Sequence, residues 1–236
     1  MSTPTDAVAA EATYEVLFED LWNATDHPLN YPNGAHFSTV VGAVHNAGVS
    51  FWAAGELATL GVENVAETGS TRNIQREIFN AQQAGSAIER HTGSNPTINV
   101  SDDFPLVTFL TMVAPTPDWF VGIHDVDLRD PSGPGFVESQ VFEFTSFYDA
   151  GTEEGTAFSL NNPASDPHEP ITRVGGRDAV SVFVTDTPSR GQLIPPIARL
   201  TFTRVSQTIP EPSSLLLAGL MSLVTVANAR TRRRVA

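Results

Sequence analysis

From Leu106 to Val113 the chain is apolar at nearly every position, and it then runs straight into Pro115-Thr116-Pro117-Asp118-Trp119-Phe120. A run of that length and composition reads as a strand covered on both faces. Each proline lacks an N–H to donate, fixes its own φ and restricts the residue before it, so the hydrogen-bond ladder stops there. Asp118 is therefore held at the rim of a buried sheet, with Trp119 and Phe120 as an apolar base beneath it.

The rest of the chain fits around such a sheet. At 236 residues with 41% hydrophobic residues, it is long enough for one sizeable core. Gly and Pro each occur 17 times, and short alternating apolar runs predominate. Together these predict an all-β fold, a sandwich or a barrel, carrying one short packed helix. The helix is predicted over Thr71 to Ala84, where Ile74, Ile78 and Ala81 share a face. Ser70 or Thr71 is placed to cap its start, and Gly85 to close its end.

Strands are predicted at Tyr14 to Glu19, Val49 to Ala53, Thr97 to Val100, Val141 to Phe147, Val180 to Val184 and Ile197 to Val205, with a polar loop from Asn161 to Gly176. Residues 1–13 read as a small, polar, disordered lead-in, 14–206 as the sandwich and 207–236 as a distinct tail. Asp125 and Asp127 read as a solvated strand face. His36 and His45 lie nine apart without two further assignable ligands, and read as core or hydrogen-bonding histidines rather than a zinc pair.

All 13 basic residues are arginines, against 27 acids, for a formal charge of −14. Four of the arginines fall in the last seven residues, so the body is more acidic still. Such a body repels nucleic acid and attracts divalent cations, although most of these carboxylates serve only solubility. Cysteine is absent, which removes disulfides, thiolate chemistry and Cys-ligated zinc.

Pro115-Thr116-Pro117-Asp118-Trp119-Phe120-Val121-Gly122 resembles the central motif of the spondin domain, in which serine usually stands at the position of Thr116. Agreement continues in order through Asp127-Leu128, Asp149-Ala150-Gly151-Thr152 and Pro195-Pro196-Ile197-Ala198-Arg199. It reaches upstream to His36-Phe37-Ser38, His45-Asn46 and Trp52-Ala53-Ala54-Gly55. The resemblance implies a C2-like β-sandwich holding a divalent ion, Ca²⁺, on acidic side chains. Carried over by position, the ligands are Asp118 and Asp149, with Asn99 where the family tends to have glutamate and Glu153 where it tends to have aspartate. Asn99 offers only a neutral oxygen, and Asp102 is its alternative. Each residue also has a plainer reading: Asp118 as a turn-stabilising acid, Asp149 as an Asx-turn former, Glu153 as a solvated side chain.

The tail has three parts. Pro210-Glu211-Pro212 precedes an uncharged stretch through Ala229, 18 residues counted from Pro212, and the chain then carries Arg230, Arg232, Arg233 and Arg234. That length is near the lower limit of the roughly 17–25 residues that cross a bilayer, and the arginines suit its cytoplasmic side. The pattern resembles the bacterial PEP-CTERM sorting signal, which implies a C-terminal hydrophobic helix in the inner membrane and processing by an exosortase-type enzyme. A buried C-terminal helix is the alternative. An exported anchor also implies an export signal, expected upstream of Met1, since residues 1–13 lack basic and apolar regions.

The function expected from these readings is a non-catalytic, exported Ca²⁺-binding module for adhesion or for matrix or exopolysaccharide assembly, with a surface protein or polysaccharide as ligand. The alternative is a secreted glycosidase-like hydrolase using Asp118 with Asp149 or Glu153 as acid and base. No G-x-S-x-G, H-E-x-x-H or phosphate-cradling glycine loop is present.

Overall fold

The computed structural model describes residues 9–209 as two antiparallel sheets and three short helices. One sheet joins β1 (Glu11–Asp20), β5 (Thr97–Ser101), β8 (Ser139–Phe144) and β11 (Ala198–Thr208) in the order β5-β1-β11-β8. The other contains β3 (Val41–His45), β4 (Ala87–Thr92), β6 (Leu106–Ala114), β7 (Trp119–Asp127), β9 (Phe147–Asp149) and β10 (Thr172–Val174). Its order is β10-β9-β7-β6-β3-β4, with β2 (His36–Phe37) paired to the end of β6.

The expected all-β sandwich is thus found. Tyr14 and Val16 of β1 and Ala198, Leu200 and Phe202 of β11 point inward against Val107, Phe109, Val113 and Val121 of the facing sheet. Each Val, Leu or Phe side chain among them contributes roughly 1.5–3 kcal/mol on burial. β6 is buried at every position after Leu106 because its other face is covered too. Two helices, α1 (Leu60–Thr68) and α2 (Arg72–Gln83), lie there and enclose a second core of Val41, Ala43, Leu110 and Phe120 with Val62, Val65, Ile74 and Ile78. β3 approaches β6 so closely that a Cβ on Gly42 would stand 2.3 Å from the Phe109 ring.

Several expectations are corrected. α2 matches the predicted helix within a residue at each end, but Thr71 gives it no side-chain cap, its hydroxyl instead accepting from Gln75 Nε2. The helix is also not alone. α1 is capped by the Thr59 hydroxyl, which accepts from Val62 N, and Glu77 of α2 accepts from Gly61 N. Val180 to Val184 is not a strand: Val180 to Phe183 form the second half of α3 (Gly176–Phe183), whose Ala179, Val180 and Phe183 plug one end of the inter-sheet core. Phe183 lies among Trp22, Phe147 and Phe158 at ring separations of 5.5–5.6 Å.

Val49 to Ala53 is irregular as well. Phe51 and Trp52 drop from it into the second core, Trp52 meeting Tyr148 at 4.9 Å and Phe120 at 5.0 Å. β1 begins at Glu11, inside the stretch expected to be a disordered lead-in. The uncharged tail, its Pro210-Glu211-Pro212 and its four arginines lie outside the described residues. Among those described, no helix is long and apolar enough to cross a membrane.

Candidate functional site: a carboxylate pair at one sheet rim

β6 ends at Ala114, and the next peptide bond, to Pro115, is cis. Thr116 is wholly buried in the turn that follows. Its hydroxyl donates to Val113 O and accepts from Trp119 N, closing the connection from β6 to β7. Asp118 has no exposed surface. Its main-chain carbonyl accepts from Ala150 N at 3.1 Å, which joins this turn to the one after β9.

The Asp118 side chain reaches the same loop. Oδ2 accepts from Thr152 N at 2.7 Å, Glu153 N at 3.1 Å and the Thr152 hydroxyl at 3.3 Å. Oδ1 is equally buried and has no partner. Asp149 stands opposite Trp119 in the ladder of β7 and β9. Its Oδ2 accepts from the Trp119 indole Nε1 at 3.2 Å, and its Oδ1 from Gly151 N at 2.9 Å. Gly151 has φ +73°, and a Cβ there would lie 2.2 Å from Glu169 O, so the loop admits only glycine.

Electrostatics shows how close the two acids are. Burial pushes the Asp149 carboxyl up to about 6, and the Asp118 charge pushes the same way, with Glu169 adding to it. Burial also raises Asp118, opposed by the N–H groups of Thr152 and Glu153, by the Thr152 hydroxyl and, least, by the N–H of Gly151. Glu153 is raised by burial and by the charges of Glu67 and Asp118, against a hydrogen bond from Asn162. Among the described residues none of these acids forms an ion pair with an arginine.

The sequence-derived set therefore divides. Asp118 and Asp149 converge on one rim, and Glu153 joins them chiefly through its main-chain N–H. Asn99 does not join them: it is exposed on β5 opposite Thr13, hydrogen-bonded to Thr13 and Glu89. Asp102, its alternative, accepts from Ala10 N at the same far end of the sandwich. The misplacement has a physical cause, since which strand lies beside β7 depends on sheet order and not on spacing along the chain. Glu67, in the last turn of α1, is the acid that sequence reasoning passed over. Burial raises its carboxyl, the Thr152 hydroxyl opposes this, and the charges of Glu63 and Asp118 push it further up.

The donor set suits a hard cation in one respect: a buried carboxylate oxygen without a donor sits beside a second carboxylate that it repels. Among the described residues no three His, Asp or Glu side chains are close enough to hold a metal by themselves. An ion on Asp118 and Asp149 would complete its shell with main-chain oxygens and water.

His36 and His45 are not paired. His36 Nδ1 lies 2.7 Å from Gly34 O, while His45 is buried between Asn46 O and the Thr108 hydroxyl. Asp125 departs from the solvated-face expectation. It adopts φ +51°, accepts from Ser50 Oγ at 2.7 Å and approaches His45 Nε2 at 3.6 Å. Asp127 is exposed and forms a forked pair with Arg129.

The profile of the spondin N-terminal domain, Spondin_N, matches residues 12–188. Human Spondin-2 is 30% identical over 212 residues, covering 84% of this chain and 63% of its own length. Rat Spondin-1 is 30% identical over 210 residues, 83% of this chain but 26% of its own. The chain thus spans somewhat less than two thirds of the first protein and about a quarter of the second. With the profile covering residues 12–188, from β1 through α3, the chain belongs to the spondin N-terminal domain family.

Proposed function

We propose that this domain is a non-catalytic binding module whose loops at one rim are fixed by a calcium ion held on Asp118 and Asp149. It acts outside the cell in adhesion or in the assembly of a matrix or exopolysaccharide, on a surface protein or polysaccharide ligand. The observation that carries the ion is Asp118 Oδ1, buried without a donor beside a carboxylate that it pushes toward protonation. A divalent cation removes that repulsion and ties the turn after β6 to the loop after β9. The membership in the spondin family supports the adhesive and extracellular setting.

The tail supports the same destination. Pro210-Glu211-Pro212, the uncharged stretch and Arg230 to Arg234 read as a bacterial sorting signal, a transient inner-membrane anchor processed by an exosortase-type enzyme. A glycosidase reading is weaker, because Asp118 is wholly enclosed and its Oδ2 already has three donors, which leaves no path for a sugar to reach it.

Equilibrium dialysis of calcium against the wild-type chain and Asp118→Ala tests the ion. Wild type is expected to retain calcium and the variant to lose it; equal retention removes Asp118 from the site.

A further inference from the structure

We infer that the groove adjoining the Asp118 rim binds a neutral oligosaccharide segment of a surface or matrix polysaccharide. This rests on the polysaccharide part of the reading above and does not depend on the ion. The groove has a volume of about 420 Å³, within the roughly 300–1,000 Å³ of small-ligand sites. Asn30 and Asn33 line it from the loop before β2, Pro115 from the turn after β6, Thr156 and Phe158 from the loop after β9, and Ser181 from α3. It lies against the rim: Asp118 holds the start of the third of these segments through Thr152 N and Glu153 N, and a Cβ on Gly155 would stand 3.1 Å from Pro117.

The lining names the ligand. In a chain of 27 acids and 13 arginines, no ionisable side chain among the described residues lines this groove. A charged ligand would lose its water there and meet no opposite charge. Asn30 and Asn33 bring exposed amides, each with donors and an acceptor, and Thr156 and Ser181 bring exposed hydroxyls. Ser181 Oγ donates to Asp178 O at 2.8 Å, so its oxygen is left to accept. Sugar hydroxyls also donate and accept, which suits them to this mixture. The C–H face of a pyranose needs a flat apolar partner, and the half-buried Phe158 ring supplies it beside Pro32 and Pro115.

The groove is also pre-formed, which lowers the entropy lost on binding. Phe158 is backed by Trp22 at 5.4 Å, Phe183 at 5.5 Å and Trp119 at 5.9 Å, so its ring is held in place. Its loop is closed by Glu154 N donating to Pro163 O at 2.7 Å and by Asn162 Nδ2 donating to Ser159 O at 3.0 Å. The segment carrying Asn30 is tied to the end of α3, where Leu29 N donates to Phe183 O at 3.1 Å.

Calorimetric titration of the full chain tests this, with cellohexaose, maltohexaose and mannohexaose as neutral probes and oligoalginate as an acidic one. At least one neutral probe is expected to bind, and the acidic one is not. Phe158→Ala is expected to weaken binding about tenfold, and Asn33→Ala about fivefold. Asn99→Ala, an amide outside the groove, is expected to leave it unchanged. Because Phe158 also packs on the core, Phe158→Leu is measured beside it, keeping apolar bulk while removing the flat ring, and is expected to lose most of the same affinity. Neutral-probe binding that survives both Phe158→Leu and Asn33→Ala overturns the inference. Oligoalginate bound as tightly as the neutral probes, or in their place, also overturns it while the polysaccharide reading stands. Wild type that binds none of the four removes both.

Discussion

Trp119 and Asp149 face each other across the ladder of β7 and β9, and the indole N–H of the first donates to the carboxylate of the second at 3.2 Å. One end of that hydrogen bond lies in the inter-sheet core, where the Trp119 ring meets Phe147 at 4.6 Å and Phe158 at 5.9 Å. The other end is an acid at the rim. The packing of the sandwich thus fixes the direction in which Asp149 presents its charge.

That acid gives the ion-free protein a characteristic pH response. The folded chain releases the Asp149 proton at about 6, the unfolded chain near the ordinary aspartate value of 3.8. Between those values the folded state holds a proton that the unfolded state has lost, so this residue makes stability fall as pH rises across the window. Asp149→Asn forfeits one acceptor to Gly151 but also removes this dependence. The difference in unfolding free energy between variant and wild type should shift in favour of the variant by about 1–2 kcal/mol from pH 4 to pH 7, after allowance for solvent screening. Denaturant unfolding in chelator measures it, and saturating calcium should remove the shift. A difference that is constant with pH would show that Asp149 titrates normally.

Thr116 bridges Val113 O and Trp119 N inside a fully buried turn, so it is a structural residue at the base of the site. Thr116→Val keeps the shape and leaves both main-chain groups without a partner, a cost of about 1–3 kcal/mol. Thr116→Ser retains the hydroxyl and should lose less. Chemical denaturation of the two variants checks the order; a valine variant as stable as the serine variant would mean that water reaches the turn.

The parts of this arrangement legible in the sequence were those fixed by local chemistry. β6 was readable because a strand buried on both faces has no alternation to confuse, and Asp118 because two prolines end that strand. Asp149 was readable from its Asp-Ala-Gly turn. Val180 to Val184 was misread because a short, mostly apolar run suits a strand or a buried helix face equally, and only the hollow among Trp22, Phe147 and Phe158 decides it. Asn99 was misplaced and Glu67 missed for one reason: sheet order and helix docking are long-range, and a glutamate on a helix surface looks like any solvated acid.

Gly151 is a sharper probe of the loop than either aspartate. With φ +73° and Glu169 O in the space of a Cβ, Gly151→Ala must move the main chain that supplies N–H groups to Asp149 and, one residue on, to Asp118. Backbone strain of this kind costs about 1–3 kcal/mol, and calcium affinity should fall with stability. Thermal melting with and without calcium is the measurement. A variant that loses stability and keeps full affinity would place the ion away from this loop.

The far end of β7 supplies an opposite pH dependence. His45 Nδ1 donates to Asn46 O, so Nε2 is left as the acceptor for the Thr108 hydroxyl, with Asp125 Oδ1 at 3.6 Å and without a donor. Burial holds the imidazole below its ordinary 6.5, while the Asn46 carbonyl and the Asp125 charge pull it part of the way back. As pH falls through 6.5 the unfolded chain takes up this proton first, so His45 makes stability drop on acidification, where Asp149 makes it rise. Asp125→Asn removes the charge that favours the imidazolium and should move the His45 midpoint lower still. Ring-proton titration by NMR reads this directly, with His124, in contact with the same carboxylate, followed in parallel. A midpoint that stays in place would mean that the carboxylate does not act on the ring, and the acid limb of the stability profile would then have to arise from other groups.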